Sequence, residues 1–213
     1  MHDAGPILIP DVEDPRLADY RHLNDAAARV AAGRDDATGG GCAIVEGAVA
    51  LEVVLRAGVP LRSLLLTRAR AESMAPLLAR RAADVPLFVA DRDVLAEVVG
   101  FDLHRGVLAS AERRPPPPAD EVLGSCSRVV VTEGLNDHEN LGALFRNAAA
   151  LDIDAVLLDD RTADPLYRRC IRVSSGWAAV LPHARLGALP GGYDRLRSHG
   201  FRVVALTPSP DAL

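Results

Sequence analysis

Four consecutive prolines, Pro115-Pro116-Pro117-Pro118, constrain this chain more than any other feature. Proline fixes φ and has no N–H, so such a run continues neither a helix nor a central strand and favours a stiff polyproline II spacer. The run predicts an N-terminal domain over 1–112, a linker over 113–120 and a second domain over 121–213. Before it, the apolar runs Cys42–Val45, Arg62–Leu66 and Leu87–Val89 predict strands, and Gly47–Arg56, Glu72–Ala83 and Arg92–Val98 predict helices. After it, Val129–Thr132, Ala155–Leu158 and Phe201–Leu206 are continuous apolar runs, as expected of parallel strands covered on both faces. Helical patterns lie between them at about 140–151, 164–174 and 188–199. The alternation predicts α/β layers in both halves.

The 213 residues are 49% hydrophobic and 25% charged, with a mean hydropathy of +0.10, which describes a soluble globular protein. No apolar run approaches the roughly 20 residues that span a bilayer. Met1-His2-Asp3-Ala4-Gly5 has neither the basic nor the apolar region of a signal peptide, so a cytoplasmic protein without a membrane partner is expected. Cys42, Cys126 and Cys170 lack C-x-x-C spacing and read as reduced thiols; no metal is expected. All 24 basic residues are arginine. Without lysine there is no P-loop, Schiff-base or kinase lysine, and those enzyme classes drop out. Gly39-Gly40-Gly41 reads as a loop before a strand rather than a phosphate cradle.

The net charge of −5 is unevenly spread. Residues 1–160 carry a balance of −10, whereas residues 161–202 hold eight arginines against Asp164 and Asp194. This local excess fits either a phosphate-binding footprint or solvated helix faces. Recognition of a nucleic acid by the first half would have to rest on local arginines such as Arg68, Arg70, Arg80 and Arg81, and on shape.

Three of the four asparagines, Asn136, Asn140 and Asn147, cluster just after the strand at 129–132. Asn140 is a candidate N-cap for the following helix. Leu141, Leu144, Phe145 and Ala148 fall at i, i+3, i+4 and i+7 and define its buried stripe. Arg146 lies off that stripe, on the side of Gly142, which is expected to leave open space beside the guanidinium. It stands near the carboxyl end of a strand, where open α/β sheets bind ligands. Asp164 and Pro165 read as the start of a further helix, on which Arg168, Arg169 and Arg172 give one cationic face. Ser174-Ser175-Gly176 and Trp177, the single tryptophan, follow.

Asp137 to Ala148 resembles the first motif of the SpoU (TrmH-like) RNA 2′-O-ribose methyltransferases of the SPOUT superfamily, and Asp164 to Gly176 resembles the second. Ile44-Val45-Glu46-Gly47 and His104 to Ala109 resemble the ribosomal-protein-like domain of the same family. The resemblance implies an N-terminal α/β substrate-binding domain followed by a SPOUT-type parallel α/β domain. It implies methyl transfer from S-adenosylmethionine to rRNA or tRNA, and a homodimer formed through the C-terminal domain. Arg146 is then catalytic with Asn140 beside it, Arg168, Arg172 and Ser174 face substrate RNA, and Leu206 and Thr207 begin the cofactor loop, which Pro208 and Pro210 stiffen.

The family's third motif, a Gly-x-Glu-x-x-Gly-Leu-like loop with an Ile-Pro-Met strand and a Ser-Leu-Asn helix start, has no counterpart in these 213 residues. The expectation is a trefoil knot incomplete in this chain, weak or absent cofactor binding by it, and an uncovered apolar sheet edge. A non-catalytic RNA-binding module of the same fold is one alternative. A hydrolase using Ser174 or Ser175 with His183 is another, although no nucleophile elbow surrounds those serines.

Overall fold

A computed structural model describes residues 5–24, 41–103 and 105–205. Leu206, Thr207, His104, Gly39 and Gly40 lie outside the described residues. Two sheets organise the chain. The first contains β1 (Ile7–Leu8), β2 (Cys42–Glu46), β3 (Leu61–Leu66), β4 (Leu87–Val89) and β5 (Val107–Glu112), in the order β1-β4-β3-β5-β2. β4 is parallel to β1 and β3, but β5 runs antiparallel to both β3 and β2. Around it lie α1 (Ala48–Arg56), α2 (Arg68–Arg81) and α3 (Arg92–Val99). The strands expected at 42–45, 62–66 and 87–89 are all present; β1 and β5 were not foreseen.

The second sheet is parallel throughout, β6 (Val129–Thr132), β7 (Ala155–Leu158) and β8 (His183–Arg185) in that order. α4 (Ala119–Ser125), α5 (His138–Ala150), α6 (Arg168–Val173) and α7 (Gly191–Ser198) accompany it. Three expectations need correction. The third strand is β8, whereas residues 201–205 form no strand. α4 begins at Ala119, directly after Pro118, so the extended spacer ends two residues earlier than expected. α6 begins at Arg168 rather than at Pro165, because the Asp164 carboxylate accepts from Leu166 N and closes a separate turn.

Side-chain alternation along the strands splits the interior into three clusters. Ala43, Val45, Leu64, Leu66, Val107 and Ala109 point to one face of the first sheet, and Cys42, Ile44, Leu65 and Leu108 to the other. In β7, Val156 and Leu158 oppose Ala155 and Leu157 in the same way. The first cluster does not stop at the proline run. It joins one face of the first sheet to Leu141, Phe145, Ala148, Val156, Cys170 and Ile171, so the two sheets share a continuous apolar core. Among the described residues no helix is long and apolar enough to cross a membrane.

Gly176 marks the tightest point of this joint. Its φ is +95°, and a Cβ there would lie 2.7 Å from the Ala50 carbonyl oxygen of α1. Gly187, at φ +91°, has open space where its Cβ would be. Gly187→Ala should therefore cost only left-handed strain, about 1–2 kcal/mol. Gly176→Ala should cost about 1–3 kcal/mol more through overpacking, read as the difference in chemical denaturation between the two variants.

Candidate active site

The polar residues of interest gather where the carboxyl ends of β6 and β7 open into loops. Asp159, directly after β7, is buried with 2% exposure, and a buried carboxylate needs hydrogen bonds to remain charged. Its Oδ1 accepts from Thr162 Oγ1 at 2.5 Å and from Gly134 N at 3.0 Å. Thr162 Oγ1 also lies 2.9 Å from Thr132 Oγ1 and accepts from Leu135 N at 3.2 Å. Because the Thr162 proton goes to the carboxylate, Thr132 must donate to Thr162. The Arg185 guanidinium donates to the carbonyls of Asp159 and Thr162, both at 2.7 Å, tying β8 to the same loop. This network holds residues 133–135 against 159–163 and sets where α5 begins.

α5 is capped by Asp137, whose carboxylate accepts from Asn140 N at 2.7 Å. The capping role expected of Asn140 thus belongs to Asp137, and the Asn140 side chain is exposed one turn away. Leu141, Phe145 and Ala148 are buried as the stripe predicts. Gly142 corrects another expectation, since a Cβ there would lie 2.7 Å from Cys170 O and 2.9 Å from Val173 Cβ. Its missing side chain admits the backbone of α6 rather than leaving room beside Arg146. Arg146 itself is exposed, and its Nη1 donates to Val173 O, 3.4 Å away at the end of α6. The first and second sequence segments therefore meet at Arg146.

The cationic face expected on α6 is largely neutralised. Arg168 turns toward the N-terminal half, where its guanidinium pairs with Glu46. Arg169 faces Glu139 at 3.8 Å. Arg172 is half-buried, and its Nε has no hydrogen-bond partner. Ser174 is fully buried; its hydroxyl donates to Ile171 O at 2.9 Å and accepts from Ala178 N at 3.0 Å. The hydroxyl proton and one of its two lone pairs are thus engaged within its own turn, and the side chain has no exposed surface. His183 packs edge-on to Phe145, ring centroids 5.8 Å apart, and among the described residues no hydrogen bond joins it to Ser174 or Ser175, as the hydrolase reading requires. Burial pushes the Cys170 thiol up to about 12, so it is inert. The loop network and the Arg113–Asp164 pair at 2.6 Å escaped sequence reasoning. The one available signal for Asp159 was its place directly after an apolar strand.

A model of the SpoU rRNA Methylase family matches residues 127–213. An uncharacterized tRNA/rRNA methyltransferase of Mycobacterium tuberculosis (strain ATCC 25618 / H37Rv) is 43% identical over 202 residues, covering 95% of this chain and 68% of that protein. The chain belongs to the SpoU methyltransferase family. A 23S rRNA (guanosine(2553)-2′-O)-methyltransferase of Bacillus subtilis (strain 168) is 33% identical over 84 residues, 39% of this chain and 34% of its own length. The fold agrees with the crystal structure of an AdoMet-bound rRNA methyltransferase from Sinorhizobium meliloti. The TM-score is 0.68 at 19% identity, over 91% of this SpoU-family chain and 69% of that one.

Asp159 gives this SpoU-family site a pH signature. Burial alone would raise its carboxyl, but hydrogen bonds from Thr162, Gly134 and Arg161 outweigh burial and hold it below the ordinary carboxylate range. A depressed carboxyl stabilises the fold above its unfolded value of about 3.9 and loses that contribution as pH falls through the folded value. Burial also lowers His183, so protonation of the unfolded chain below about 6.5 destabilises wild type and variant alike. Asp159→Asn should cost about 2 kcal/mol at neutral pH. In denaturant titrations across pH, the gap between it and wild type should stay open to about pH 4 and close below.

Proposed function

We propose that this chain is a SpoU-type enzyme that methylates the ribose 2′-hydroxyl of rRNA or tRNA, with S-adenosylmethionine as methyl donor, in the cytoplasm and as a homodimer. The observation that carries the reading is the exposed Arg146 guanidinium, held against Val173 O where the two motif segments meet. The names of the Mycobacterium and Bacillus relatives support methylation of RNA, and that of the Bacillus relative supports the 2′-oxygen. We assign residues 1–112 to RNA binding and 121–213 to the transferase, within which these residues carry an incomplete trefoil knot and part of a dimer face.

The exposed valines before residue 206 are our candidates for one side of a cofactor site. Val203 and Val204 expose apolar side chains, at 38% and 67%, of the kind that takes an adenine ring, just before the proposed contacts Leu206 and Thr207. When bound, S-adenosylmethionine supplies an electrophilic methyl group on a sulfonium. The attacking ribose hydroxyl is a poor nucleophile at neutral pH and loses its proton as it attacks. An arginine pKa above about 12 makes neutral guanidine a costly base. Arg146 therefore acts by holding negative charge as it develops on the ribose oxygen, with the proton leaving along an adjacent RNA phosphate. Val173 O orients the guanidinium, and Asn140, six residues earlier on the same helix, hydrogen-bonds the incoming nucleotide. Arg172 supplies a further guanidinium to the RNA.

Arg146→Ala should lower methyl transfer from labelled cofactor into RNA by about 10²–10³-fold or more, while RNA affinity changes little. Substantial methylation by that variant would remove Arg146 from this role. Failure to bind S-adenosylmethionine by these 213 residues and equally by a form extended with the family's third motif would favour an RNA-binding module instead.

A further inference from the structure

We infer that Arg168 is a positioning residue: it clamps the N-terminal half onto α6, so that the distance from the RNA-reading surface to Arg146 is fixed by the fold. The link to RNA rests on the function proposed above; the clamp itself does not.

Arg168 opens α6, yet all three of its partners lie in the other half of the chain and come from three separate segments. Nη1 donates to Glu46 Oε2 at the end of β2, Nη2 donates to Asn24 Oδ1 at 3.0 Å, and the guanidinium carbon stands 4.5 Å above the centre of the Phe101 ring. The Arg168 and Glu46 side chains are only 16% and 10% exposed, so the pair is screened little by solvent. A flat, delocalised cation that pairs on its edge and stacks on its face is a task for arginine; a lysine ammonium could meet the charge but not the geometry.

The other end of the same segment is fixed as well. Gly176 lies so close to α1 that a Cβ would strike Ala50 O. Between these two points, Val173 O receives the Arg146 guanidinium. The backbone that aims Arg146 is thus pinned at both ends to the N-terminal half. The stiff spacer and the shared apolar core bring the halves together, and the clamp removes the sliding that a non-directional apolar contact still permits. An RNA gripped by the first half then presents a nucleotide at one set reach, which makes the spacing a determinant of which position is modified.

The test measures distance without relying on activity. Spin labels at cysteines replacing the exposed residues Glu72 in α2 and Ala150 in α5, in a Cys126→Ser background, report the separation of the halves by pulsed electron resonance. Wild type should give one narrow distance distribution. Arg168→Lys, which keeps the charge, and Glu46→Gln should each broaden it, while circular dichroism stays native. Should Arg168→Lys fail to fold, Phe101→Leu removes only the stacked ring and should broaden the same distribution. A broad distribution in wild type, or an unchanged narrow one in the folded variants, overturns the clamp. Mapping of 2′-O-methyl sites should then show one modified position for wild type and spread to neighbours for Arg168→Lys. A clamp intact by distance with no methylation, even by a form extended with the family's third motif, would refute the proposed function and leave the clamp standing.

Discussion

The close approach of α5 to α6 at Gly142 is the contact on which the site depends. Any side chain there would drive into the Cys170 carbonyl and Val173, separating the two helices and taking Val173 O away from Arg146. The approach is tolerable because Leu141 and Phe145 on one side, and Cys170 and Ile171 on the other, bury completely in the same core. Helix packing at this distance brings a backbone oxygen of one helix within hydrogen-bond reach of a surface cation on the other.

Charge in this protein is handled almost wholly by arginine, and the structure uses the guanidinium in three different ways. Arg185 donates along its edge to backbone carbonyls and closes a loop. Arg168 combines an ion pair with a stacked ring and joins two halves. Arg146 remains exposed, with one aiming bond. The excess of arginine in residues 161–202 was open to two readings, a phosphate footprint or solvated faces. Several of those arginines turn out to serve internal joints: Arg185 inside a loop, Arg168 between the halves, Arg169 with Glu139. A one-dimensional count of charge cannot separate cations that bind a partner from cations that bind their own chain.

What was legible in the sequence was what local pattern controls. β6 and β7 are continuous apolar runs, and α5 shows its buried stripe at the helical period, so both could be placed within a residue or two. β8 was missed because His-Ala-Arg carries no apolar signal; it becomes a strand because His183 packs against Phe145 and Arg185 finds carbonyls. Phe201–Leu206 has the stronger apolar pattern, yet residues 201–205 form no strand, since pairing requires a neighbour and not just propensity. The cap of α5 fell to Asp137 rather than Asn140 because either residue suits the role and only the backbone path into the helix selects one.

By itself, then, the sequence determined the α/β class and the family motifs, because each is written in residue type and spacing. The tertiary structure alone decided what lies against what. It turned Gly142 from open space into a packing surface, gave the Ser174 hydroxyl partners within its own turn, and paired Arg168 with Glu46 in the N-terminal half. Those roles depend on residues far away in the chain, Glu46 being 122 positions from Arg168. Spacing along one segment does not encode such distances; the shared apolar core sets them.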